Sequence, residues 1–127
     1  MKIIKFSGVF GFIFLVVLLA AQTGYADKSA VTISAPETAA KGSEVVVKLT
    51  ITHNSNNFFH YTNWVFLKVN GKEFSRWDFT WDHRPDEATF VREVKVPVDG
   101  PVELIAEANC NLHGSKGTAK WKIAVKE

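Results

Sequence analysis

The segment Val45–Thr52 reads Val-Val-Val-Lys-Leu-Thr-Ile-Thr, and it indicates the fold class more directly than any other part of the chain. Apolar side chains stand at positions 45, 47, 49 and 51, and three of the four residues that alternate with them, at positions 46, 48, 50 and 52, are polar. A period of two is typical of a β-strand that buries one face and exposes the other. The segment therefore predicts a strand at the edge of a hydrophobic core.

Turn residues separate this segment from further stretches of the same kind. Asn70-Gly71 is the strongest short hairpin signal in the chain, and Asp99-Gly100-Pro101 marks a second turn. The predicted strands are Val31–Ile33, Val45–Ile51, Tyr61–Val69, Glu73–Trp81, Thr89–Val96, Val102–Asn109 and Thr118–Val125. About seven short strands with no convincing helix predict an all-β, immunoglobulin-like β-sandwich.

The first 26 residues have the pattern of a secretory signal peptide. Lys2 and Lys5 precede an apolar stretch from Val9 to Ala21, and Gly24-Tyr25-Ala26 offers a cleavage site after Ala26. The alternative, an uncleaved anchor, needs about 20 apolar residues, more than this stretch provides. We therefore expect residues 1–26 to be removed, residues 27–127 to form one domain, and the protein to be exported to a bacterial periplasm.

The charge balance gives no reason to expect a nucleic-acid or membrane partner after cleavage. The leader holds two of the 15 lysines and arginines and none of the 13 acidic residues, so residues 27–127 carry 13 of each sign. A neutral, interspersed balance lacks the basic surface that binds phosphates or anionic lipids. A homo-oligomer is left open by the sequence.

Cys110 and three histidines form the candidate functional site. Cys110-Asn111-Leu112-His113-Gly114 follows a predicted strand, and His53 and His60 flank a polar loop between two others. Loops of a sandwich gather at its ends, so both loops can meet at one point. A lone Cys-x-x-His also occurs by chance or around a buried structural cysteine. A single unpaired cysteine in an exported chain, together with loop histidines, favours a metal site. We interpret His83, in a different loop, as a solvated residue.

The types of ligand narrow the choice of metal ion. One thiolate with imidazoles suits iron, copper or zinc and disfavours calcium or magnesium. Blue copper sites usually add an axial methionine, and the single methionine of this chain is Met1, in the leader. Iron is the expected ion, with copper and zinc as alternatives.

The stretch His60-Tyr61-Thr62-Asn63-Trp64-Val65, the Asn70-Gly71 turn and Cys110-Asn111-Leu112-His113-Gly114 together resemble the iron domain of superoxide reductases, the desulfoferrodoxin and neelaredoxin family. The resemblance extends over about residues 28–125. It implies a mononuclear iron that cycles between Fe(II) and Fe(III), with four histidines and one cysteine thiolate as ligands.

By this resemblance, His53, His60, Cys110 and His113 match metal ligands. Lys28 matches a catalytic lysine that attracts superoxide and helps to protonate its product. Ser29 stands where the family has its first histidine, so three imidazoles and one thiolate remain.

The resemblance implies a redox protein that reduces superoxide to hydrogen peroxide, with superoxide or another small ligand and an unidentified electron donor as partners. Two other classes of protein stay open. One is a non-catalytic periplasmic metal-binding or electron-transfer protein that uses copper or zinc. The other is a metal-free adaptor that attaches to a partner through Cys110.

Overall fold

The computed structural model describes residues 28–127, so the predicted signal peptide lies outside the described residues. Eight strands make up this part of the chain: β1 (Ala30–Ser34), β2 (Thr38–Ala40), β3 (Ser43–Thr52), β4 (Thr62–Val69), β5 (Lys72–Asp78), β6 (Thr89–Val98), β7 (Val102–Cys110) and β8 (Ala119–Lys126). No helix in residues 28–127 is long and apolar enough to span a membrane.

The strands form two sheets that pack face to face. One sheet has three strands in the order β1-β3-β6, and the other has five in the order β2-β8-β7-β4-β5. The prediction of an all-β sandwich is confirmed. The strand that sequence reading missed is β2, which has three residues and pairs in parallel with β8. So short a strand shows no measurable alternation of apolar and polar residues, which is why the sequence did not indicate it.

The core lies between the sheets and comes from the apolar positions of the alternating segments. In β3, the buried side chains are those of Val45, Val47, Leu49 and Ile51, as the alternation predicts. Opposite them, β7 contributes its own buried residues at every second position, Val102, Leu104, Ala106, Ala108 and Cys110. Cys110 is therefore the last inward-facing residue of a core strand, at one end of the sandwich.

The hairpin between β4 and β5 closes at Asn70-Gly71, where both residues have positive φ, 50° and 83°. This pair of angles is the one that a two-residue type I′ turn requires. The return strand is shorter than predicted, since it ends at Asp78 rather than Trp81. Thr80 and His83 exchange backbone hydrogen bonds of 3.2 and 3.1 Å, and this turn carries Trp81 out of the sheet.

The ends of the strands bring the two candidate loops together. Thr62, the first residue of β4, pairs with Cys110, the last residue of β7. In the other sheet Ala30 pairs with Thr52, the residue before His53. Residues 53–61 cross from one sheet to the other at this end, beside the turn that follows Cys110.

Candidate metal centre

His53 is held in one orientation by Asn56. The imidazole is almost fully buried, with 2% of its surface exposed, and its Nδ1 lies 3.0 Å from Oδ1 of Asn56. A carboxamide oxygen can only accept a hydrogen bond, so Nδ1 of the neutral ring carries the proton. The lone pair of His53 is therefore on Nε2, which points towards His60.

Two asparagines give the loop its shape. Asn56 Oδ1 also accepts the backbone N–H of Thr62 at 2.8 Å, and its Nδ2 donates to the carbonyl of Glu87 at 2.7 Å. Asn57 Oδ1 accepts the backbone N–H groups of Phe59 and His60, each at 3.0 Å. Side-chain bonds of this kind replace regular secondary structure in a polar loop, and here they fix the backbone that carries His60.

The Cys110 turn is closed by its own backbone. Cys110 and Gly114 exchange backbone hydrogen bonds of 2.9 and 3.0 Å, and Gly114 has φ of 85°, which favours glycine. Within the turn the backbone N–H of His113 donates to Cys110 Sγ at 3.4 Å. The turn therefore directs one of its own backbone donors at the sulfur.

Asn111 joins this turn to the histidine loop. Its Oδ1 accepts the backbone N–H of Tyr61 at 3.0 Å, and its Nδ2 donates to the carbonyl of Phe59 at 3.1 Å. These are the residues on either side of His60. The turn that carries Cys110 and His113 is thereby held in a fixed position relative to His60.

The predicted ligand atoms converge at this junction. His60 Nε2 lies 3.1 Å from His53 Nε2 and 2.9 Å from His113 Nδ1. The donor atoms of His53, His60 and Cys110 all lie within 4.8 Å of one another. Cys110 Sγ lies 3.8 Å from His113 Nδ1. All four side chains are thus brought together, and their ligation of a metal stays a prediction.

The chemistry of this donor set fits a metal ion. Two nitrogen ligands about 2.1 Å from one ion and at right angles to each other are about 3.0 Å apart, close to the two separations between the imidazoles. A ring nitrogen has one proton or one lone pair, so it makes one good hydrogen bond. His60 Nε2 faces two other ring nitrogens. A metal ion between the three nitrogens would bind all of them, whereas hydrogen bonds could not satisfy both contacts well. Cys110 and His53 are buried and His113 is exposed, so the centre is open to solvent on the His113 side.

Lys28 and Lys116 lie at the edge of the same site. With His53 they line an open groove of about 320 Å³ beside the start of β1. Both lysines are exposed. The groove therefore places positive charge next to a predicted ligand, and the catalytic role of Lys28 stays a prediction.

Ser29 contacts the site through its backbone and is fully buried. Its N–H donates to the carbonyl of Gly114 at 3.2 Å, and its carbonyl accepts the N–H of Lys116 at 2.9 Å. Its hydroxyl lies 2.8 Å from that of Thr62. The position that the resemblance matches to the family's first histidine is therefore adjacent to the Cys110 turn, and in this chain it holds a hydroxyl bonded to β4.

His83 lies apart from the four converging side chains, in the loop between β5 and β6. Its side chain is 84% exposed, and Nδ1 lies 3.4 Å from Asp82 Oδ1. The hydroxyl of Thr80 donates to that carboxylate and lowers the pKa of Asp82. These contacts agree with the interpretation of His83 as a solvated residue.

Sequence reading missed Asn56, Thr62 and the bridging role of Asn111. The run Asn54-Ser55-Asn56-Asn57 was visible as a polar loop. Which of its carboxamides faces His53 depends on the path of the backbone, and residue order alone does not reveal that path.

Comparison with known proteins agrees with the fold. Residues 21–118 match the family model described as Desulfoferrodoxin. Superoxide reductase (neelaredoxin) from Ignicoccus hospitalis is 22% identical, with a TM-score of 0.64, over 78% of this chain and 82% of that one. A candidate superoxide reductase from Thermotoga maritima is 23% identical, with a TM-score of 0.57, over 77% of this chain and 86% of that one.

Proteins outside this family have a similar fold. The CARDB domain of a Pyrococcus furiosus protein, solved in complex with di-metal ions, is 12% identical, with a TM-score of 0.60, over 77% of this chain and 87% of that one. No curated protein matches the chain significantly. The structural likenesses show the sandwich fold, and the family model matches more than three quarters of the chain. The chain belongs to the desulfoferrodoxin family.

Proposed function

We propose that this chain is an exported mononuclear iron redox protein that reduces superoxide to hydrogen peroxide. One observation carries the proposal: three imidazole nitrogens and the Cys110 sulfur meet at separations between 2.9 and 3.8 Å along the series His53, His60, His113, Cys110. Membership of the desulfoferrodoxin family supports iron as the metal. The leader pattern in residues 1–26 supports export to a periplasm.

The cysteine and the histidines have different roles at the site. Cys110 supplies a thiolate that donates electron density and favours the oxidised state, and His53, His60 and His113 supply neutral nitrogen ligands. A bound ferrous ion would supply the one electron that superoxide needs. Superoxide then takes up two protons to become hydrogen peroxide.

The positive groove has a role that follows from its charge. Superoxide is an anion, and Lys28 and Lys116 line the groove beside His53. Two exposed ammonium groups raise the local concentration of a small anion, an effect that weakens as salt increases. Lys28 or solvent would then deliver the protons.

A second function is favoured by Ser29. Its hydroxyl is bonded to Thr62 rather than offered to the site, so four predicted ligands remain where the resemblance implies five. Zinc and copper accept four-coordinate sites more readily than an iron ion that is normally held by five ligands. The alternative is therefore a non-catalytic periplasmic metal-binding or electron-transfer protein.

Metal content and turnover separate these functions. The full chain is expressed with its leader, recovered from the periplasm and analysed for metals without added metal. The iron-loaded protein is then tested for superoxide consumption with one hydrogen peroxide formed per superoxide reduced. About one iron per chain with measurable turnover supports the reductase. Bound copper or zinc with no turnover supports the alternative, and protein without metal contradicts both.

A further inference from the structure

The end of the sandwich that holds the candidate metal centre also exposes four large apolar side chains. Phe58, Phe59 and Trp81 are 50%, 75% and 54% exposed, and Leu112 is 62% exposed. Contiguous apolar surface of this kind is uncommon on soluble proteins and generally marks a place where something binds. These four residues are called the aromatic patch below.

The patch lies on loops rather than on the flat face of a sheet. Its members belong to the loop between β3 and β4, the loop between β5 and β6, and the turn after β7. The ring of Phe58 lies 4.8 Å from that of Phe59 and 5.1 Å from that of Trp81, both in edge-to-face arrangements. Leu112 follows Asn111, whose carboxamide donates to the carbonyl of Phe59 at 3.1 Å. The loops therefore present one apolar surface at the end of the sandwich.

The N-terminal end of the described chain lies at this same end. The backbone N–H of Ser29 donates to the carbonyl of Gly114, two residues after Leu112 in the same turn. The apolar stretch of the predicted signal peptide ends at Ala21. The seven residues from there to Lys28 span at most about 25 Å. While the signal peptide is in the membrane, this linker holds the patch close to the bilayer.

The charge around the patch favours contact through apolar groups. Residues 53–63 and 108–115 contain no Asp, Glu, Lys or Arg, so Phe58, Phe59 and Leu112 have no charged neighbour within their own loops. The charged residues at this end have both signs: Lys28, Lys116 and Arg84 are positive, and Asp82, Asp86 and Glu87 are negative. Because these charges offset one another, a charged partner would gain little from this surface.

The types of side chain and the size of the patch favour a bilayer over a protein partner. Tryptophan and phenylalanine are the side chains with which peripheral proteins enter the boundary between lipid headgroups and acyl chains. The three aromatic side chains leave roughly 400 Å² accessible, about half of the 800 Å² that each partner buries in a stable protein complex. A bilayer needs no matching surface, so a few inserted side chains are sufficient.

We propose that the aromatic patch inserts into the surface of a phospholipid bilayer and places the exported domain on the membrane with its metal-centre end towards the lipid. The proposal rests on the export proposed above, and not on the reaction. The neutral charge balance of residues 27–127 gave no reason to expect a membrane partner, because it does not report apolar side chains that folding brings together. Phe59, the most exposed of the four, and Trp81 should contribute most.

Vesicle binding tests the proposal. Protein recovered from the periplasm is mixed with vesicles of phosphatidylethanolamine and phosphatidylglycerol, and sedimentation of the vesicles gives a partition coefficient. We expect Phe59→Ser and Trp81→Ser each to lower this coefficient about 10-fold, because a large apolar side chain loses its burial. Added salt should lower it less than either substitution does.

The matched control for these variants is Phe74→Ser. Phe74 is 43% exposed on β5, towards the Asn70-Gly71 turn at the other end of the sandwich. This variant loses an exposed phenyl ring outside the patch, so it should partition like the wild type.

A second measurement locates the inserted side chain. Vesicles with brominated acyl chains quench the fluorescence of a tryptophan that reaches them. Of the four tryptophans, Trp81 lies in a loop of the patch, and Trp64, Trp77 and Trp121 lie on strands. In Trp81→Phe the quenching should be lost, whereas the partition coefficient should stay within about twofold of the wild type, because phenylalanine also inserts at the lipid boundary.

Several outcomes would overturn the proposal. Wild-type partitioning in both serine variants, or an equal loss in Phe74→Ser, shows that the patch is not the contact. Quenching that persists in Trp81→Phe shows that another surface meets the lipid. A dimer that Phe59→Ser dissociates, with no vesicle binding, assigns the patch to a second copy.

The same samples distinguish this proposal from the proposed function. A chain that never reaches the periplasm contradicts the export on which the patch proposal rests. An exported protein that consumes superoxide but does not bind vesicles contradicts the patch alone. Patch-dependent vesicle binding without superoxide turnover supports the patch and contradicts the reductase.

Discussion

The carboxamide oxygen of Asn56 lies 3.0 Å from Nδ1 of His53 and also accepts the N–H of Thr62. One oxygen atom thus sets the orientation of a predicted ligand and holds the first residue of β4. Since β4 pairs with β7 at Thr62 and Cys110, this contact couples the histidine loop to the cysteine strand.

Replacing Asn56 should weaken the metal centre without removing a ligand. In Asn56→Ala the ring of His53 loses the acceptor that fixes its tautomer, so metal affinity should fall about 10- to 100-fold. Competition with a chelator of known affinity measures the change. The matched control is Asn54→Ala, an exposed asparagine of the same loop, which should bind metal like the wild type. Equal affinity in both variants would contradict the positioning role of Asn56.

Removing the sulfur should have a larger effect. The wild type should bind about one metal ion per chain, and Cys110→Ala should lose both the thiolate-to-metal charge-transfer band and most of the bound metal. Binding should also weaken on acidification, because ligands must lose their protons before they can bind. Absorption spectra and metal analysis test this, with His83→Ala as the control for loss of a solvated histidine. Unchanged metal content in Cys110→Ala would exclude the proposed site.

The fold should not depend on the metal. The residues that fill the core between the sheets, among them Leu49 and Leu104, are fully buried and lie along strands away from the ligands. The chelated protein should keep its β-type circular dichroism and melt cooperatively, and added metal should raise the midpoint. In the metal-free protein Leu49→Ala should lower the free energy of unfolding by about 2–5 kcal/mol. An unfolded metal-free chain would show that the metal, rather than the core, holds the sandwich together.

The sequence was most informative where local pattern and burial coincide. The alternation in β3 and the Asn70-Gly71 turn are local features, so their structure followed from a few neighbouring residues. Thr80 to His83 form a turn instead of extending β5, because their backbone groups pair with each other. The apolar residues Phe79 and Trp81 fit the predicted strand, so the sequence did not indicate the turn.

The candidate ligands could be selected from the sequence, and the residues that hold them in place could not. Cysteine and histidine are rare enough to be noticed, so His53, His60, Cys110 and His113 could be named from sequence. Asn56 and Asn111 act across separations of 31 and 52 residues, to Glu87 and Phe59. Common polar residues whose partners are distant in the chain carry no local pattern.

The last prediction concerns Ser29, and its test distinguishes a superoxide reductase from a metal-binding module. The backbone pairing of Ser29 with Gly114 and Lys116 places the N-terminal segment against the Cys110 turn. With Ser29 unchanged, superoxide reductase activity should be weak, because one strong neutral ligand is missing from the iron set. Ser29→His should increase iron affinity and turnover, both measured on protein loaded with a known amount of iron.

The size of the new side chain needs its own control, since Ser29 is fully buried and its hydroxyl is bonded to Thr62. A larger residue there should lower the stability of the metal-free chain by about 1–3 kcal/mol through overpacking. Ser29→Phe brings a ring of similar size without a nitrogen, so it should show the same loss of stability and no gain in iron binding. A gain in Ser29→His alone therefore reports ligation. If both variants bind iron like the wild type, position 29 meets the turn through its backbone only. Strong turnover by the unmodified iron protein would instead refute the binding-module alternative, because three imidazoles and one thiolate would then be sufficient for the reaction.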